Sequence, residues 1–237
     1  MTLDLQLKLL EVTKSKPALS LKQLSALPQT NLDEALVALD GKGLITFSDG
    51  VLTISGRQRV MLAEQLIHSG ADAKRVSRFL GWQEFEDFAE HILSENGFST
   101  CKHLVFKSSL GRREIDIFAW NDTLILAVDC KHWIRGLSTG RMKKAAQAQI
   151  ERTIAVARRP ELLHRLKVPI PDVRSVIPVI LTLGEVRDRL IHGVPIVPVS
   201  KLSSFIYEVS PIDKSIKRIR VDSSSQSRLA EDSWSNT

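Results

Sequence analysis

The chain has 237 residues, of which 43% are hydrophobic, and it carries a formal net charge of +6. This size allows one large domain or two small ones, and the moderate positive charge favours a polyanionic partner without requiring one. No uncharged apolar run approaches the length that crosses a bilayer, which excludes a membrane span. Cys101 and Cys130 lack the spacing of a zinc site or a disulfide framework, and the N-terminus does not match a signal peptide. A soluble, cytoplasmic protein is expected.

The first 56 residues are predicted to form three short helices followed by a β-hairpin. Apolar spacing predicts helices at about 4–12, 21–27 and 32–39. Asp49-Gly50, a dipeptide typical of tight hairpin turns, joins the two apolar runs that follow. This order of elements resembles a winged helix-turn-helix domain, which would span residues 1–56.

In the winged-helix family the third helix enters the major groove of DNA. Here the corresponding segment carries Asp33, Glu34 and Asp40, and its acidic charge repels phosphate. DNA binding and a protein-contact or dimerisation role therefore both stay open for this domain.

Three further segments complete the predicted organisation. Residues 57–80 are predicted to form a linking helix that Gly70 interrupts, since glycine destabilises helix interiors. Residues 81–222 change to a pattern of helix, three strands, helix and strand, which indicates a second, α/β domain. The serine-rich residues 223–237 predict a disordered tail.

The second domain begins with an amphipathic helix that follows Gly81. Its apolar residues recur on one face, and Gly97 is a natural C-cap. Glu86 lies beside this apolar face. The simplest explanation for Glu86 is an exposed acid in a first turn, where the helix dipole favours negative charge.

The strands that follow place charged residues beside a predicted core. In the strand 114–120 the residues alternate, so Glu114 and Asp116 point to one side. A turn containing Arg112 and Arg113 precedes this strand.

The next strand, residues 124–128, is apolar on both faces, which is typical of a central strand covered on both sides. It ends in Asp129-Cys130-Lys131, so Asp129 and Lys131 project from the same face. Buried charge is unfavourable unless it is paired or bound to a metal. A structural ion pair between Asp129 and Lys131 is the alternative to a functional site.

Phosphodiester hydrolysis gives a chemical reason for this arrangement. Two or three carboxylates can hold Mg²⁺ or a similar hard cation, which binds a phosphate oxygen and acidifies its coordinated water. A nearby ammonium, such as that of Lys131, can orient the attacking water or stabilise the charge that develops on the phosphorus.

With these residues, positions 82–183 resemble the PD-(D/E)XK nuclease superfamily, most closely the Mrr-type restriction endonucleases and the archaeal Holliday junction resolvases. The similarity lies in three motifs and in the spacing between them. The motifs are Phe85-Glu86 with Gly97-Phe98, the strand Glu114-Ile115-Asp116, and Asp129-Cys130-Lys131.

The resemblance implies a restriction-endonuclease-like mixed sheet flanked by helices and a homodimer that binds no small-molecule cofactor. Asp116, Asp129 and Glu86 would bind Mg²⁺ or Mn²⁺, and Lys131 would serve the attacking water. The chain departs from the family pattern at two points. No proline precedes Asp116, and Asp129 replaces the glutamate or glutamine common in the two similar groups.

A long helix is predicted at residues 138–158, and closing strands follow at 176–183 and 194–199. By the same resemblance a glutamine on the helix approaches the site, with Gln147 as the first candidate and Gln149 as the second. The prolines of the closing strands predict edge positions; they are Pro178, Pro195 and Pro198. The predicted nucleic-acid contacts are basic residues near the catalytic strands, namely Arg112, Arg113, Arg135, Arg141, Lys143 and Lys144.

The sequence thus predicts a metal-dependent DNA endonuclease. Structured or modified DNA is one class of substrate, and linear duplex, single-stranded DNA and RNA stay open as others. Two alternatives remain open. The first is a catalytically inactive nuclease-fold protein that binds or regulates DNA, against which the presence of all four charged motif positions argues. The second is an assembly subunit that uses its winged-helix domain for protein contacts.

Overall fold

The computed structural model separates the chain into two compact units, Met1–Ala89 and Glu90–Thr237. The structure describes residues 3–25, 32–108, 111–131, 139–169, 175–183, 186–209 and 213–222. Within those ranges no helix is long and apolar enough to cross a membrane.

The first unit begins with short helices and strands in the order helix, strand, helix, helix, strand, strand. Their bounds are α1 Leu3–Val12, β1 Ala18–Ser20, α2 Leu21–Leu24, α3 Leu32–Gly41, β2 Thr46–Ser48 and β3 Val51–Thr53. β3 lies between β1 and β2 and is antiparallel to both. Asp49 and Gly50 both have positive φ, 50° and 72°, as a tight hairpin turn requires. The predicted hairpin is therefore confirmed, whereas β1 was not predicted.

Three more helices follow, α4 Gly56–His68, α5 Ala73–Ser77 and α6 Trp82–Glu95. Gly70, with φ 91°, lies between α4 and α5 and confirms the predicted interruption. The apolar stripe of α4 is buried in the first unit, which extends to Ala89 and includes the segment expected to be a linker. The boundary between the units falls within α6.

A buried arginine connects the helices of the first unit. Arg59 on α4 is only 3% exposed, and its Nε donates to Glu84 Oε1 at 2.7 Å. The other guanidinium nitrogens donate to Leu10 O at 2.8 Å, to Thr13 Oγ1 and to Phe79 O. One cation therefore satisfies polar groups from α1, α6 and the segment before α6, and its own charge is paired with Glu84.

The described strands of the second unit form a seven-stranded mixed sheet flanked by helices, in agreement with the predicted α/β class. The bounds are β4 Ser99–Ser108, β5 Gly111–Trp120, β6 Ile125–Lys131, α7 Thr139–Ala157, α8 Pro160–Arg165, β7 Ser175–Thr182, β8 Leu190–Ile191, β9 Val194–Pro198, α9 Leu202–Glu208 and β10 Ile219–Arg220. The strand order is β4-β5-β6-β7-β9-β8, and β10 pairs with β7.

Helix α7 belongs to the connection between β6 and β7 and packs against these two strands of the sheet. β6 and β7 are parallel, and parallel neighbours need a crossover connection, which contains α7. The buried side chains of Ala146 and Ile150 pack against Ile180 of β7, and Val156 packs in a second cluster with Ala127 of β6. α7 therefore covers the sheet where β6 and β7 run side by side.

The edge position predicted from Pro178 is wrong, whereas Pro198 lies in the part of β9 that pairs with β7 alone among the described strands. β7 lies between β6 and β9, and β9 lies between β7 and the two-residue β8. Pro178 is tolerated in β7 because two strands, β9 and β10, share the side of β7 that lies opposite β6. β10 pairs at residues 175–176 and β9 at 180–182, so Pro178 falls in the gap between their ladders.

Substitution Arg59→Met should destabilise the first unit by roughly 3 kcal/mol, since it leaves Glu84 and the helix-terminal carbonyls without their buried donor. Native-state hydrogen exchange would measure this as faster exchange of amides in α1 and α4. The control is Arg57→Met, which removes an exposed charge from the same helix. Equal protection in the two variants would contradict the role given to Arg59.

Candidate functional site

The site forms where β5 and β6 separate. Their antiparallel ladder runs from Trp120↔Ile125 to Ile117↔Val128; the next positions along the two strands are Asp116 and Asp129. Instead of a further ladder pair, the backbone N–H of Cys130 donates to Asp116 Oδ2 at 2.7 Å. The Asp116 side chain thus accepts a backbone hydrogen bond from β6 where a further ladder pair would otherwise form. The two carboxylates lie where the strands diverge.

The β4–β5 ladder is irregular at the same position. It passes through Lys102↔Ile117 and Leu104↔Ile115 and omits His103 and Asp116, which face each other between these pairs. His103 has φ 49°, in the left-handed region that few residues other than glycine adopt. Asp116 therefore lies at a break in the ladder on both of its sides.

Asp129 is the charged residue at the centre of the site, and it is 3% exposed. Lys131 Nζ donates to its Oδ1 at 2.9 Å, which confirms that the two side chains project from one face of β6. Nζ also lies 2.8 Å from Oδ2, but without hydrogen-bond geometry, so Oδ2 accepts no hydrogen bond from the described part of the chain. The buried carboxylate is thus paired at both oxygens, and the contact of Oδ2 with Lys131 is an ion pair without a hydrogen bond.

A second cation reaches Asp129 from helix α7. Arg152 donates from the same guanidinium nitrogen to Asp129 Oδ1 at 2.8 Å and to Gln149 Oε1 at 3.0 Å. Gln149 is fully buried, and its Nε2 donates to Ala127 O at 2.7 Å. A continuous chain of hydrogen bonds thus links the backbone of β6 to the carboxylate two residues further along the same strand.

Sequence reasoning missed Arg152. The signal was its spacing of three residues from Gln149, which places both side chains on one face of a helix. Gln147, the first candidate, is exposed and donates to Glu151 Oε1 at 3.1 Å. The structure brings Gln149, the second candidate, to the site instead.

The pKa of the Asp116 carboxyl is raised, first because burial removes water from the charged form and second because Asp129 is negatively charged. The hydrogen bond from Cys130 and the charges of Lys131 and Arg152 oppose this rise. The negative charge of Asp129 thus makes ionisation of Asp116 less favourable. A cation bound between them would relieve the repulsion.

Glu86 belongs to the first unit. It lies on α6, is 2% exposed, and accepts a short hydrogen bond from Trp82 Nε1, one helical turn earlier. The exposed position suggested by its place in the first turn is wrong, because Glu86 is buried. The structure brings Asp116, Asp129 and Lys131 together in the second unit.

Most of the predicted nucleic-acid contacts lie on two elements of the second unit. Arg141, Lys143 and Lys144 are exposed on α7, Arg112 is exposed near the start of β5, and Arg113 is half-buried. Arg135 lies outside the described residues.

The donor set fits a hard divalent cation that keeps most of its waters. In the described ranges no group of three or more His, Cys, Asp and Glu side chains is placed to hold a metal ion. Mg²⁺ is nevertheless commonly held by one or two carboxylates together with water and substrate phosphate. Asp116 and Asp129 supply two carboxylates, and Asp129 Oδ2 is a buried oxygen that contacts the Lys131 ammonium at 2.8 Å without a hydrogen bond.

We expect the substitution Asp129→Asn to lower the pKa of Asp116, because it removes the negative charge that favours the protonated carboxyl. Lys131 and Arg152, released from Asp129, act in the same direction. Carboxyl ¹³C NMR across a pH titration measures the change, with Asp222→Asn at an exposed position as the control. An unchanged or higher pKa would show that the two carboxylates are not coupled.

Comparison with solved structures finds two loose similarities. The crystal structure of AF1548, a protein of unknown function, has a TM-score of 0.30 and 17% identity, with 51% of this chain and 52% of that chain covered. The crystal structure of VC1899 from Vibrio cholerae has a TM-score of 0.36 and 14% identity, with 85% and 49% covered. The chain thus spans about half the length of each.

The sequence matches no protein-family model. It is 32% identical over 125 residues to an uncharacterized protein of Archaeoglobus fulgidus, a match that covers 53% of this chain and 88% of that protein. Identity at this level, over nearly all of the relative's length, shows that the chain belongs to the same family as the Archaeoglobus protein.

Proposed function

We propose that the chain is a metal-dependent endonuclease that hydrolyses phosphodiester bonds in DNA. The observation that carries the proposal is the group formed by Asp116, Asp129 and Lys131 where β5 and β6 separate. Two coupled carboxylates lie beside an ammonium group there. This combination suits hydrolysis of a phosphate ester, which needs a cation, an activated water and stabilisation of added negative charge.

Asp116 and Asp129 would hold Mg²⁺ or Mn²⁺, which when bound supplies an acidified water and a positive charge next to the phosphate. Lys131 is partly exposed, with 22% of its side chain accessible, so it can face both Asp129 and solvent. Its role is to orient the attacking water. Because Glu86 belongs to the first unit, its assignment as a third ligand stays a prediction.

The basic face of α7 supports DNA as the substrate. Arg141, Lys143 and Lys144 follow one another within the first turns of the helix and are exposed, while Arg152 of the same helix reaches Asp129. Exposed cations bind the phosphate backbone without reading sequence. Structured or modified DNA would then be selected by other features, and a homodimer would allow both strands to be cut.

The first unit fits a winged-helix domain used for protein contacts. Its order of helices and strands and its hairpin support this assignment. The outward face of α3, however, carries Asp33, Glu34 and Asp40 together with Val37, which is 69% exposed. An acidic face with an exposed apolar side chain is better suited to a protein partner than to phosphate.

One observation favours a second candidate, a nuclease-like domain that binds DNA without cutting it. Asp129 is paired with both Lys131 and Arg152, and a buried carboxylate with two cations is a stable structural arrangement in its own right. In that case the charged group only maintains the end of β6. Cleavage assays separate the two candidates.

Substitutions Asp129→Asn and Lys131→Ala should each lower DNA cleavage at least about 100-fold, because each removes a group that stabilises the transition state. Binding should change only a few-fold. The assay uses labelled linear, branched, flapped and single-stranded DNA, with Mg²⁺ or with EDTA. Electrophoretic mobility shifts in EDTA measure binding.

The matched controls are Asp222→Asn and Lys214→Ala, which make the same changes at exposed positions of the second unit. Cleavage at the wild-type rate is expected from both. If Asp129→Asn also cuts like the wild type, the DNA-binding candidate without catalysis replaces the enzyme.

Removal of both Lys143 and Lys144 by alanine substitution should weaken DNA binding. The slope of log affinity against log salt should fall by about 0.9 for each phosphate that the variant no longer neutralises. Fluorescence anisotropy at several salt concentrations measures this, and Lys214→Ala/Lys217→Ala provides the same charge change at exposed lysines outside α7. Identical slopes in both double variants would exclude α7 from the interface.

A further inference from the structure

The Arg152 guanidinium contacts the carboxylate of Asp129, which a divalent cation would need as a ligand. Its guanidinium lies 2.8 Å from Asp129 Oδ1, and Lys131 Nζ lies 2.8 Å from Oδ2. Asp129 is therefore neutralised by groups of the chain itself. A metal ion that binds Asp129 must compete with these groups.

The two cations differ in how they are held. Lys131 is two residues from Asp129 on the same strand, and its ammonium moves on a flexible stem. Arg152 comes from α7 and is braced by Gln149, which is itself fixed to Ala127 O. The guanidinium is thus kept beside Asp129 by a buried side chain that is anchored to the backbone of β6.

We propose that Arg152 is an internal counter-ion that a divalent cation displaces from Asp129, so that Arg152 sets the cation affinity of the site. This inference rests on the proposed function and deepens it. Arg152 is a positioning residue in this scheme. It holds the Asp129 side chain in position before the cation binds, and Gln149 retains the guanidinium near the site afterwards.

Electrostatics fixes the direction of the effect. A positive charge less than 3 Å from a ligand oxygen opposes a second cation at that oxygen, and partial burial strengthens the opposition. Removing the charge of Arg152 should therefore increase cation affinity. A purely structural Arg152 would give the opposite result, because its loss would loosen Asp129 and weaken binding.

The test measures Mn²⁺ binding to the full chain without DNA, from the electron paramagnetic resonance signal of free Mn²⁺. Arg152→Gln keeps a polar side chain without the charge and should bind Mn²⁺ at least about tenfold more tightly. Arg152→Lys keeps the charge and should stay within about threefold of the wild type. Arg158→Gln removes an exposed charge just beyond α7 and should have no effect.

Binding that is equal or weaker in Arg152→Gln overturns the inference, as does the absence of measurable binding in both proteins. The gain must also disappear in Arg152→Gln/Asp129→Asn, since otherwise the ion lies elsewhere. Failure of this test leaves the proposed function standing if the wild type still cuts DNA with Mg²⁺. The cleavage assay therefore separates the two failures.

A second measurement is made on the wild-type protein, and a variant is used only to assign the resonance. In the wild type with ¹⁵N-labelled arginine side chains, the Nε–H resonance of Arg152 should shift on saturation with Mg²⁺. Its absence from the spectrum of Arg152→Lys assigns it. A resonance that stays in place while Mg²⁺ binds contradicts displacement.

Discussion

The charge of Asp129 is the constraint on which the site depends. A carboxylate buried at the end of an apolar strand loses several kcal/mol of hydration, and that loss must be offset by opposite charge or by protonation. The chain offsets it with Lys131 from the same strand and Arg152 from α7. The position of α7 on the sheet and the end of β6 are thus tied together by one side chain.

The second carboxylate is controlled differently. Asp116 keeps one backbone hydrogen bond and is destabilised as an anion by burial and by Asp129. The two carboxylates therefore differ, since Asp129 is paired with two cations whereas burial and the charge of Asp129 raise the pKa of Asp116. A divalent cation would compete with protons at Asp116 and with Arg152 at Asp129, so that lower pH and the internal counter-ion both oppose its binding.

The local sequence pattern was sufficient to predict part of this structure. The two-residue period of a strand predicted that Asp129 and Lys131 share a face, and the Asp-Gly turn predicted the hairpin. The choice between Gln147 and Gln149 could not be made in this way, because both belong to a helix whose buried face depends on how it packs. Ala146 and Ile150 turn α7 toward the sheet, which leaves Gln147 in solvent and brings Gln149 and Arg152 over β6.

Other features depended on partners distant in sequence. Pro178 predicts an edge strand only if each side of the strand has a single neighbour, whereas β7 pairs with β9 and β10 on the same side. Arg59 is one of several charged residues on α4, and its acceptors Leu10 and Phe79 lie far away along the chain. The spacing of residues within a helix or strand predicts which side chains share a face. It does not predict which groups elsewhere in the chain contact that face.

Stability alone does not account for the charges at the end of β6. Breaking a buried ion pair is destabilising, but replacing the whole group by apolar residues of similar volume is often neutral or favourable. β6 is apolar from Ile125 to Val128, and apolar side chains at its end would extend the same core. Four charged side chains and a buried glutamine are instead placed where two strands separate, and the buried Asp129 carboxylate contacts two cations there. That combination is the physical basis on which we propose a cation site rather than a group that only holds the sheet together.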